Sequence, residues 1–223
     1  FLRHISHELK TPLAALREGV ALLEDEVAGT LTGNQREIAR ILRQNTASLQ
    51  TQIEDLLRYN AAAFDAQHLH RASLNLTQLL RSVIDGQRLQ WQARGLQVEL
   101  QEPSGAPPEI VADAEKLGVA LANLLSNAVR FSPAGGVIRF VVAAAGGNIG
   151  IDCMDQGPGV AAADAARIFE PFYQGGRQPS GARSGNGIGL SIVHEYIAAH
   201  GGKVQLLPAE TGAHFRIDLP YEH

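Results

Sequence analysis

The sequence predicts a helical hairpin followed by an α/β domain, because the spacing of its apolar residues changes along the chain. Through residue 63 they recur at alternating spacings of four and three, which is typical of helices that bury one narrow seam. From residue 73 to residue 223, strand-like segments alternate with helical ones, and this order indicates a mixed sheet covered by helices. The helical spacing fades over residues 64–72, which we interpret as a linker.

The first predicted helix carries one apolar seam and is broken by the segment Ala28–Leu31. The seam consists of Ile5, Leu9, Leu13, Leu16, Val20, Leu23 and Val27. Pro12 lies within this pattern and cannot donate to the carbonyl four residues earlier, so we expect the helix to bend there. His7 lies off the seam, where its imidazole is predicted to be accessible.

The second predicted helix starts at a capping box formed by Thr32 and Gln35. Its seam consists of Ile38, Leu42, Asn45, Leu49, Ile53 and Leu56. Two helices with one seam each cannot bury both seams alone, so we expect two hairpins to pair as a homodimeric four-helix bundle. Asn45 either fixes the register of this bundle or is partly exposed.

The predicted elements of the α/β domain follow from segments of strand and helix periodicity. Strands are predicted at Leu96–Leu100, Glu109–Ala112, Val137–Ala145, Ile149–Met154, Val204–Leu207 and Phe215–Leu219. Helices are predicted at Thr77–Arg94, Asp113–Arg130 and Gly189–His200.

Composition excludes several classes of protein. The net charge is −4, and no basic patch is interleaved with aromatic residues, so a nucleic acid is not an expected partner. A single cysteine, Cys153, excludes an internal disulfide. No run of 18 apolar residues is present.

The first helix contains a candidate nucleophile. His7 is followed directly by Glu8, and Thr11 comes one helical turn after the histidine, on the same face. A neutral imidazole, with an ordinary pKa of ~6.5, is a free nucleophile at cellular pH, and a carboxylate bonded to its other nitrogen fixes the tautomer.

A second group of polar residues lies on the helix predicted to start at Asp113. Asn123, Asn127 and Arg130 share one face, although each asparagine costs roughly 0.5 kcal/mol against alanine inside a helix. Carboxamide oxygens suit Mg²⁺, and a guanidinium suits phosphate. A solvated polar surface would explain the same pattern.

Three segments follow that are rich in glycine or aromatic residues. They are Asp155-Gln156-Gly157-Pro158-Gly159, Phe169-Glu170-Pro171-Phe172 and Gly185-Asn186-Gly187-Ile188-Gly189-Leu190. Their glycines allow a ligand to approach the backbone, and the last segment opens a helix whose N-terminus attracts phosphate. That segment is not a P-loop, because it lacks the terminal Lys-Ser/Thr pair.

These segments, taken in order, resemble the conserved boxes of bacterial sensor histidine kinases, and the resemblance covers nearly the whole chain. His7-Glu8-Leu9-Lys10-Thr11-Pro12-Leu13 resembles the phosphoacceptor box. The helix with the two asparagines and the three later segments resemble the N, G1, F and G2 boxes of the ATP-binding domain, which has the Bergerat fold.

The resemblance implies a role for each matching residue. In the phosphoacceptor box, His7 accepts the phosphoryl group, Glu8 takes a proton from the far ring nitrogen, and Thr11 helps position water for dephosphorylation of the partner. In the ATP-binding domain, Asn127 would hold Mg²⁺ and Asp155 would accept the adenine amino group.

Two further residues depart from the usual pattern of the family, and a third differs from its hydrolysing relatives. Arg130 would contact phosphate where the family usually has lysine, and Phe131 would stack under adenine in place of tyrosine. Asn123 stands where hydrolysing relatives place a water-activating glutamate. The remaining expected nucleotide contacts are Gly157, Gly159, Phe172, Arg177, Gly185, Gly187, Gly189 and Leu190. Residues 173–184 resemble a mobile lid in which Arg177, Arg183 or neither contacts the γ-phosphate.

The function implied is an ATP- and Mg²⁺-dependent protein-histidine kinase that acts as a homodimer. It would phosphorylate His7, pass the group to an aspartate of a response regulator receiver domain, and also act as a phosphatase on that regulator. We expect this to be the cytoplasmic portion of an inner-membrane sensor, because a heptad seam already runs at Ile5. The alternatives are an ATPase that drives a clamp, against which His7 and Asn123 argue, and a nucleotide-binding dimerisation module without catalysis, against which the intact boxes argue.

Overall fold

The computed structural model describes residues 2–102, 109–145, 147–178 and 186–221, with side chains throughout except at residues 2–8 and 145. The chain divides into two compact units, residues 1–61 and residues 62–223. The first unit is helical and the second contains a mixed sheet with helices. The predicted fold class, a helical hairpin followed by an α/β domain, is therefore confirmed.

The hairpin consists of α1, Leu2–Glu24, and α2, Gly33–Asp65. Helix α1 continues through Pro12 and ends earlier than predicted, because Glu26 adopts a left-handed backbone with φ of 55°. The predicted capping box is confirmed. The Gln35 amide donates to the Thr32 hydroxyl at 3.3 Å, and the Thr32 amide donates to the Gln35 side chain at 2.8 Å.

Most of the two predicted seams stays exposed in a single hairpin. Leu13, Val20 and Ala39 are buried. The exposed seam residues include Leu9, Leu16, Leu23, Val27, Ile38, Leu42, Leu49 and Leu56. The Asn45 side chain is exposed and donates to the Ile41 carbonyl at 2.9 Å, so it satisfies its amide within its own helix.

In its described residues, the second unit contains two sheets and four helices beyond α2. The strands are β1 Ala72–Asn75, β2 Gln97–Gln101, β3 Glu109–Ala112, β4 Val137–Ala145, β5 Asn148–Met154, β6 Lys203–Leu207 and β7 His214–Pro220. The helices are α3 Leu76–Gly86, α4 Arg88–Gln92, α5 Ala114–Phe131 and α6 Gly189–Ala199. The main sheet has the order β2-β4-β5-β7-β6, in which only β2 and β4 are parallel, and β1 pairs with β3 in a two-stranded sheet.

The core lies between the main sheet and helices α5 and α6, which pack against each other. On β5, Ile149, Ile151 and Cys153 alternate into this core, and Cys153 pairs with Phe140 and Phe215 on the two neighbouring strands. Burial raises the pKa of the Cys153 thiol, as expected for a cysteine that serves in packing.

The helix predicted over Thr77–Arg94 is in fact two helices that meet at Gln87. Glycine is a poor helix former, and Gly86 ends α3. The Trp91 indole then donates to the Ile84 carbonyl at 3.1 Å, and the Gln87 side chain donates to the Ala122 carbonyl of α5 at 2.8 Å. These tertiary bonds turn the chain where periodicity alone predicted one helix. Strand β1 was not predicted.

The residues predicted as a linker are held by the second unit. Helix α2 extends to Asp65. The His70 amide donates to Asp113 Oδ2 at 2.8 Å, and the Arg71 guanidinium donates to the Ala199 carbonyl at 3.1 Å. The end of this segment is thus tied to the start of α5 and to the end of α6.

Asp113 is the buried centre of this attachment. It caps α5 through the Lys116 amide, and its Oδ2 also accepts from the Lys116 ammonium at 2.9 Å. Its own amide donates to Nε2 of the buried His200 at 3.0 Å. Burial by itself would raise the pKa of Asp113, but the hydrogen bonds from the His70 amide and from Lys116 outweigh burial and lower this pKa to about 2.

We expect Asp113 to make the stability of the second unit depend on pH. Since its pKa is lower in the folded state than the ordinary value of ~3.9, its stabilising effect is present above about pH 4 and is lost as the pH falls toward 2. In denaturant titrations, Asp113→Asn should be less stable than the unmodified protein at neutral pH and should lose less stability between these pH values. Asp85→Asn, on the exposed surface of α3, is the control. Equal acid dependence in the Asp113 variant and the unmodified protein would contradict the assignment.

Candidate active site

Helix α5 presents the predicted polar residues because its opposite face is buried. Leu117, Leu121, Leu124 and Leu125 form the buried stripe. Asn123, Asn127 and Arg130 therefore lie together on a half-buried face. The side-chain nitrogen of Asn123 donates to the Val119 carbonyl at 2.9 Å, and a β-carbon placed on Gly189 would lie 3.2 Å from Asn123 Oδ1. This face of α5 thus meets the first residue of α6.

Arg130 and Phe131 form the end of α5. The Arg130 guanidinium lies 5.1 Å from the centroid of the Phe131 ring, and its Nη2 donates to Gln178 Oε1 at 2.9 Å. Burial lowers the pKa of Arg130. Its Nε atom is buried and, within the described ranges, makes no hydrogen bond. An oxygen-rich ligand would satisfy this donor.

Asp155, directly after β5, is a buried carboxylate with 5% exposure. Its Oδ1 accepts from the Gly157 amide at 2.8 Å and from the Ala213 amide at 3.0 Å. Burial raises the pKa of this carboxyl, against the two amides, which lower it. Among the residues that the structure describes, both donors reach Oδ1. Oδ2 is thereby left to accept a bond from a ligand.

Glycines around Asp155 allow three backbone segments to meet. A β-carbon on Gly157 would lie 2.7 Å from the Phe131 carbonyl oxygen. Gly159 and Gly212 have φ of 68° and 71°, and a β-carbon on Gly212 would lie 1.8 Å from the Asp155 carbonyl oxygen. A side chain at Gly157 would separate the Asp155 loop from the end of α5, and one at Gly212 would separate it from the segment before β7. The role of Gly212 was missed, because one glycine before a strand indicates only a turn.

The segments resembling the F and G2 boxes are joined through their backbones. The Phe172 amide, in a left-handed conformation with φ of 65°, donates to the Gly187 carbonyl at 2.9 Å. Gly187 has φ of 72°, and a β-carbon there would lie 2.6 Å from the Tyr173 carbonyl oxygen. Helix α6 then starts at Gly189 and Leu190 without a side-chain cap, so its first amides are available to an anion.

Asp164 holds the described part of the predicted lid. Its Oδ1 accepts from the Tyr173 hydroxyl at 2.7 Å and its Oδ2 from the Gly176 amide at 2.8 Å. The Tyr173 bond is the main cause that lowers the pKa of Asp164. Arg177 donates to the Pro158 carbonyl at 2.8 Å and so lies beside the Asp155 loop. Arg183 and Gly185, also predicted to belong to this site, lie outside the described residues.

The candidate nucleophile belongs to the other unit. His7 and Glu8 lie in α1, but their side chains are outside the part of the chain described in that detail. Thr11 lies one turn after His7 and is exposed. The described residues that were predicted to bind nucleotide all lie in the second unit, and the predicted phosphoacceptor residues lie in the first.

The polar face of α5, the buried carboxylate and the uncapped start of α6 are features suited to binding a nucleotide. Residues 112–223 match the family described as histidine kinase-, DNA gyrase B-, and HSP90-like ATPase, and residues 1–62 match the His kinase A (phospho-acceptor) domain. The chain belongs to the histidine kinases and contains both parts of their catalytic core, including the domain that uses ATP.

Two curated relatives of similar sequence support this family assignment. The chain is 38% identical to sensor histidine kinase GlrK of Escherichia coli (strain K12) over 99% of its own length and 46% of the relative. It is 33% identical to sensor histidine kinase TmoS of Ectopseudomonas mendocina, covering 22% of that protein. The chain thus spans about half, or less, of these curated relatives.

Two solved structures resemble the chain over nearly its whole length. The crystal structure of full-length ShkA in complex with AMPPNP aligns with a TM-score of 0.71 and 32% identity, over 99% of this chain and 45% of that one. Histidine kinase AdeS of Acinetobacter baumannii aligns with a TM-score of 0.65 over 97% of this chain and 98% of that one, and at 22% identity it supports the fold alone. No helix in the described part of the chain is long and apolar enough to cross a membrane.

The buried carboxylate predicts selective binding of adenine. Asp155→Asn replaces an acceptor by a group that also donates, and loss of a charge-assisted hydrogen bond costs about 1.5–3 kcal/mol, or about ten- to a hundredfold in ATP affinity. GTP, which offers a carbonyl at that position, should compete poorly for the unmodified protein. Isothermal titration measures both effects.

Asp152→Asn is the matched control, since Asp152 lies on β5, three residues before Asp155, and its Oδ1 pairs with His214 at 2.7 Å. Its ATP affinity should match that of the unmodified protein. Equal affinities for ATP and GTP would remove Asp155 from the proposed role.

Proposed function

We propose that the chain phosphorylates itself on His7 with ATP and passes the phosphoryl group to an aspartate of a response regulator receiver domain. The proposal depends on one combination: a nucleotide site with Asn123 in place of a water-activating base, in a chain whose first helix carries His7 and Glu8. A carboxamide is not basic enough to take a proton from water, and the side-chain nitrogen of Asn123 donates to the Val119 carbonyl of its own helix. This favours transfer of the phosphoryl group over its hydrolysis.

In the nucleotide site, four groups are suited to different parts of ATP. Asp155 Oδ2 accepts from the adenine amino group, and the Phe131 ring offers a stacking surface for the base. Arg130 and the first amides of α6 are suited to the phosphates. Gln178 occupies Arg130 Nη2, so it has to release that atom before phosphate can bind there.

Magnesium fits this site as a partner of the nucleotide. Asn127 offers a carboxamide oxygen on the half-buried face of α5. Within the described residues, no cluster of three histidine, cysteine or acidic side chains could hold a metal. Mg²⁺ commonly takes one or two protein ligands and completes its shell with phosphate oxygens and water, and it would neutralise phosphate charge.

On α1, His7 acts as the nucleophile. The lone pair of its neutral nitrogen forms the bond to the γ-phosphorus while the bond from that phosphorus to the bridging oxygen breaks and ADP leaves. Glu8 receives the proton of the other ring nitrogen. In the dephosphorylation of the response regulator, Thr11 helps position the water that removes the phosphoryl group from the regulator. Thr11 is suited to this role because it is exposed one turn after His7.

We propose that the exposed seams of the hairpin form the interface of a homodimer. Leu23, Leu31, Ile38, Ala39 and Leu42 line a largely apolar groove of about 170 Å³ at the closed end of the hairpin. A second hairpin would cover this groove and the exposed leucines and complete a four-helix bundle.

We further propose that residues 1–63 form the dimerisation and phosphotransfer domain, 64–72 the linker and 73–223 the ATP-binding domain. Both named relatives are called sensor kinases, which supports a role as the cytoplasmic portion of an inner-membrane sensor.

The phosphoacceptor is tested by His7→Gln. This variant should bind ATP normally but acquire no acid-labile, base-stable label from [γ-³²P]ATP, because it loses the attacking nitrogen and leaves the nucleotide site intact. His4→Gln is the control and should label normally, since no acid follows His4. Undiminished labelling of the His7 variant would refute the assignment.

The dimer is tested at Leu49, which is 45% exposed in a single chain. Leu49→Glu should fold as a hairpin but place a charge in the bundle core, so light scattering should give the mass of a monomer where the unmodified protein gives a dimer. Ala47→Glu, exposed and off the seam, should stay dimeric. A dimeric Leu49 variant would show that this seam is not the interface.

A further inference from the structure

Arg94, in the turn between α4 and β2, contacts the end of α5 from outside the nucleotide site. Its Nη1 donates to the carbonyls of Val129 and Arg130, the latter at 2.8 Å, and its Nη2 donates to the Ser132 carbonyl at 2.8 Å. The side chain is half-buried. One guanidinium therefore binds the carbonyls of Val129, Arg130 and Ser132, around the C-terminus of the helix that carries Arg130 and Phe131.

This contact replaces the usual way of ending a helix. The last carbonyls of an α-helix lack partners within it, and many helices satisfy them with a left-handed glycine. At α5 the C-cap is Ser132, in an extended conformation with ψ of 143°, and Pro133 follows. Arg94 supplies the missing donors, and its charge favours the negative end of the helix dipole. Its planar fork reaches several carbonyls at once, which a compact ammonium cannot do equally well.

The same turn is fastened to the loop that follows α5. The Gly135 amide donates to the Arg94 carbonyl at 3.2 Å, and the Gln97 amide donates to the Gly136 carbonyl at 2.9 Å. On the other side, the Phe131 carbonyl faces Gly157, where a β-carbon would approach it to 2.7 Å. The last turn of α5 thus lies between Arg94 and the loop that carries Asp155.

We propose that Arg94 is a positioning residue for ATP binding. By holding the carbonyls at the end of α5, it fixes where the Phe131 ring and the Arg130 guanidinium stand relative to the Asp155 carboxylate. Its hydrogen bonds to α5 go to backbone carbonyls, so it acts through the backbone that carries these two side chains. The inference rests on the proposed ATP site, and it adds a residue in a turn whose sequence carries no nucleotide-binding pattern.

The test is Arg94→Met in the full chain, assayed for autophosphorylation at varied ATP concentration. Misplacement of a binding group by about 1 Å can cost about a hundredfold in activity, and for this indirect effect we expect the KM for ATP to rise about tenfold while kcat stays within about twofold. A purely structural role would reduce the amount of active protein, and so would lower the apparent kcat and leave KM unchanged. Arg88→Met, an exposed arginine on α4, should change neither constant.

Arg94→Lys and a double variant complete the test. Lysine keeps the charge without the fork, so its KM should lie between those of the unmodified protein and Arg94→Met, and it carries the test if the methionine variant does not fold. In a Phe131→Ala background, Arg94→Met should raise KM by less than it does alone, because the ring it positions is absent. A KM equal to that of the unmodified protein in the folded variants, or fully additive effects with Phe131→Ala, would overturn the inference.

Direct titration of the unmodified protein with ATP separates the two hypotheses. If the unmodified protein binds ATP and the Arg94 variants bind it equally well, the positioning role fails and the ATP site stands. If the unmodified protein does not bind ATP, the proposed function fails, and the positioning role fails with it.

Discussion

The nucleotide site depends on the close approach of three backbone segments at Asp155. Its Oδ1 atom receives the amides of Gly157 and Ala213, and so joins the loop after β5 to the start of β7. The glycines at 157 and 212 make room for this contact, the first against the end of α5 and the second against Asp155 itself. Burial of the carboxylate makes its remaining oxygen an effective acceptor, because a charge removed from water interacts more strongly with the few donors that reach it. A single buried group thus organises the part of the domain that we propose binds adenine.

Helix α5 connects the two ends of the catalytic unit. At its start, Asp113 binds the His70 amide, Lys116 and His200, which ties the helix to the segment after α2 and to the end of α6. At its far end, Arg94 binds three carbonyls beside Phe131. The buried leucine stripe between these points fixes the rotation of the helix and thereby directs Asn123 and Asn127 toward the site. Both termini are held by side chains from distant parts of the sequence, so the helix can act as a rigid element of the domain.

The hairpin differs from the ATP-binding unit in how much of its apolar surface one chain buries. A single copy buries Leu13, Val20 and Ala39 but leaves most of its seam exposed. The surface helices of a monomeric domain normally bury such a stripe, and an exposed one is typical of an interface. The ATP-binding unit, by contrast, has its own core between sheet and helices. The two units therefore differ in what they need from a partner, which accords with a dimer held by the hairpins alone.

The sequence by itself determined the elements and the chemistry that depend on short-range patterns. Periodicity predicted helices α2 and α5 and most strands to within a residue or two, and it predicted α1 with a later end. The capping box at Thr32 needed only residues three positions apart. The boxes containing His7, Asn127, Asp155 and Gly187 were recognisable because each carries its chemistry in a few adjacent residues. Tertiary structure alone decided the break at Gln87, the roles of Gly212 and Arg94, the lid contact of Gln178 and the attachment of His70 to Asp113. Each of these is a contact between residues far apart in the chain, with energies set by burial and geometry in the folded state, and no local pattern records them.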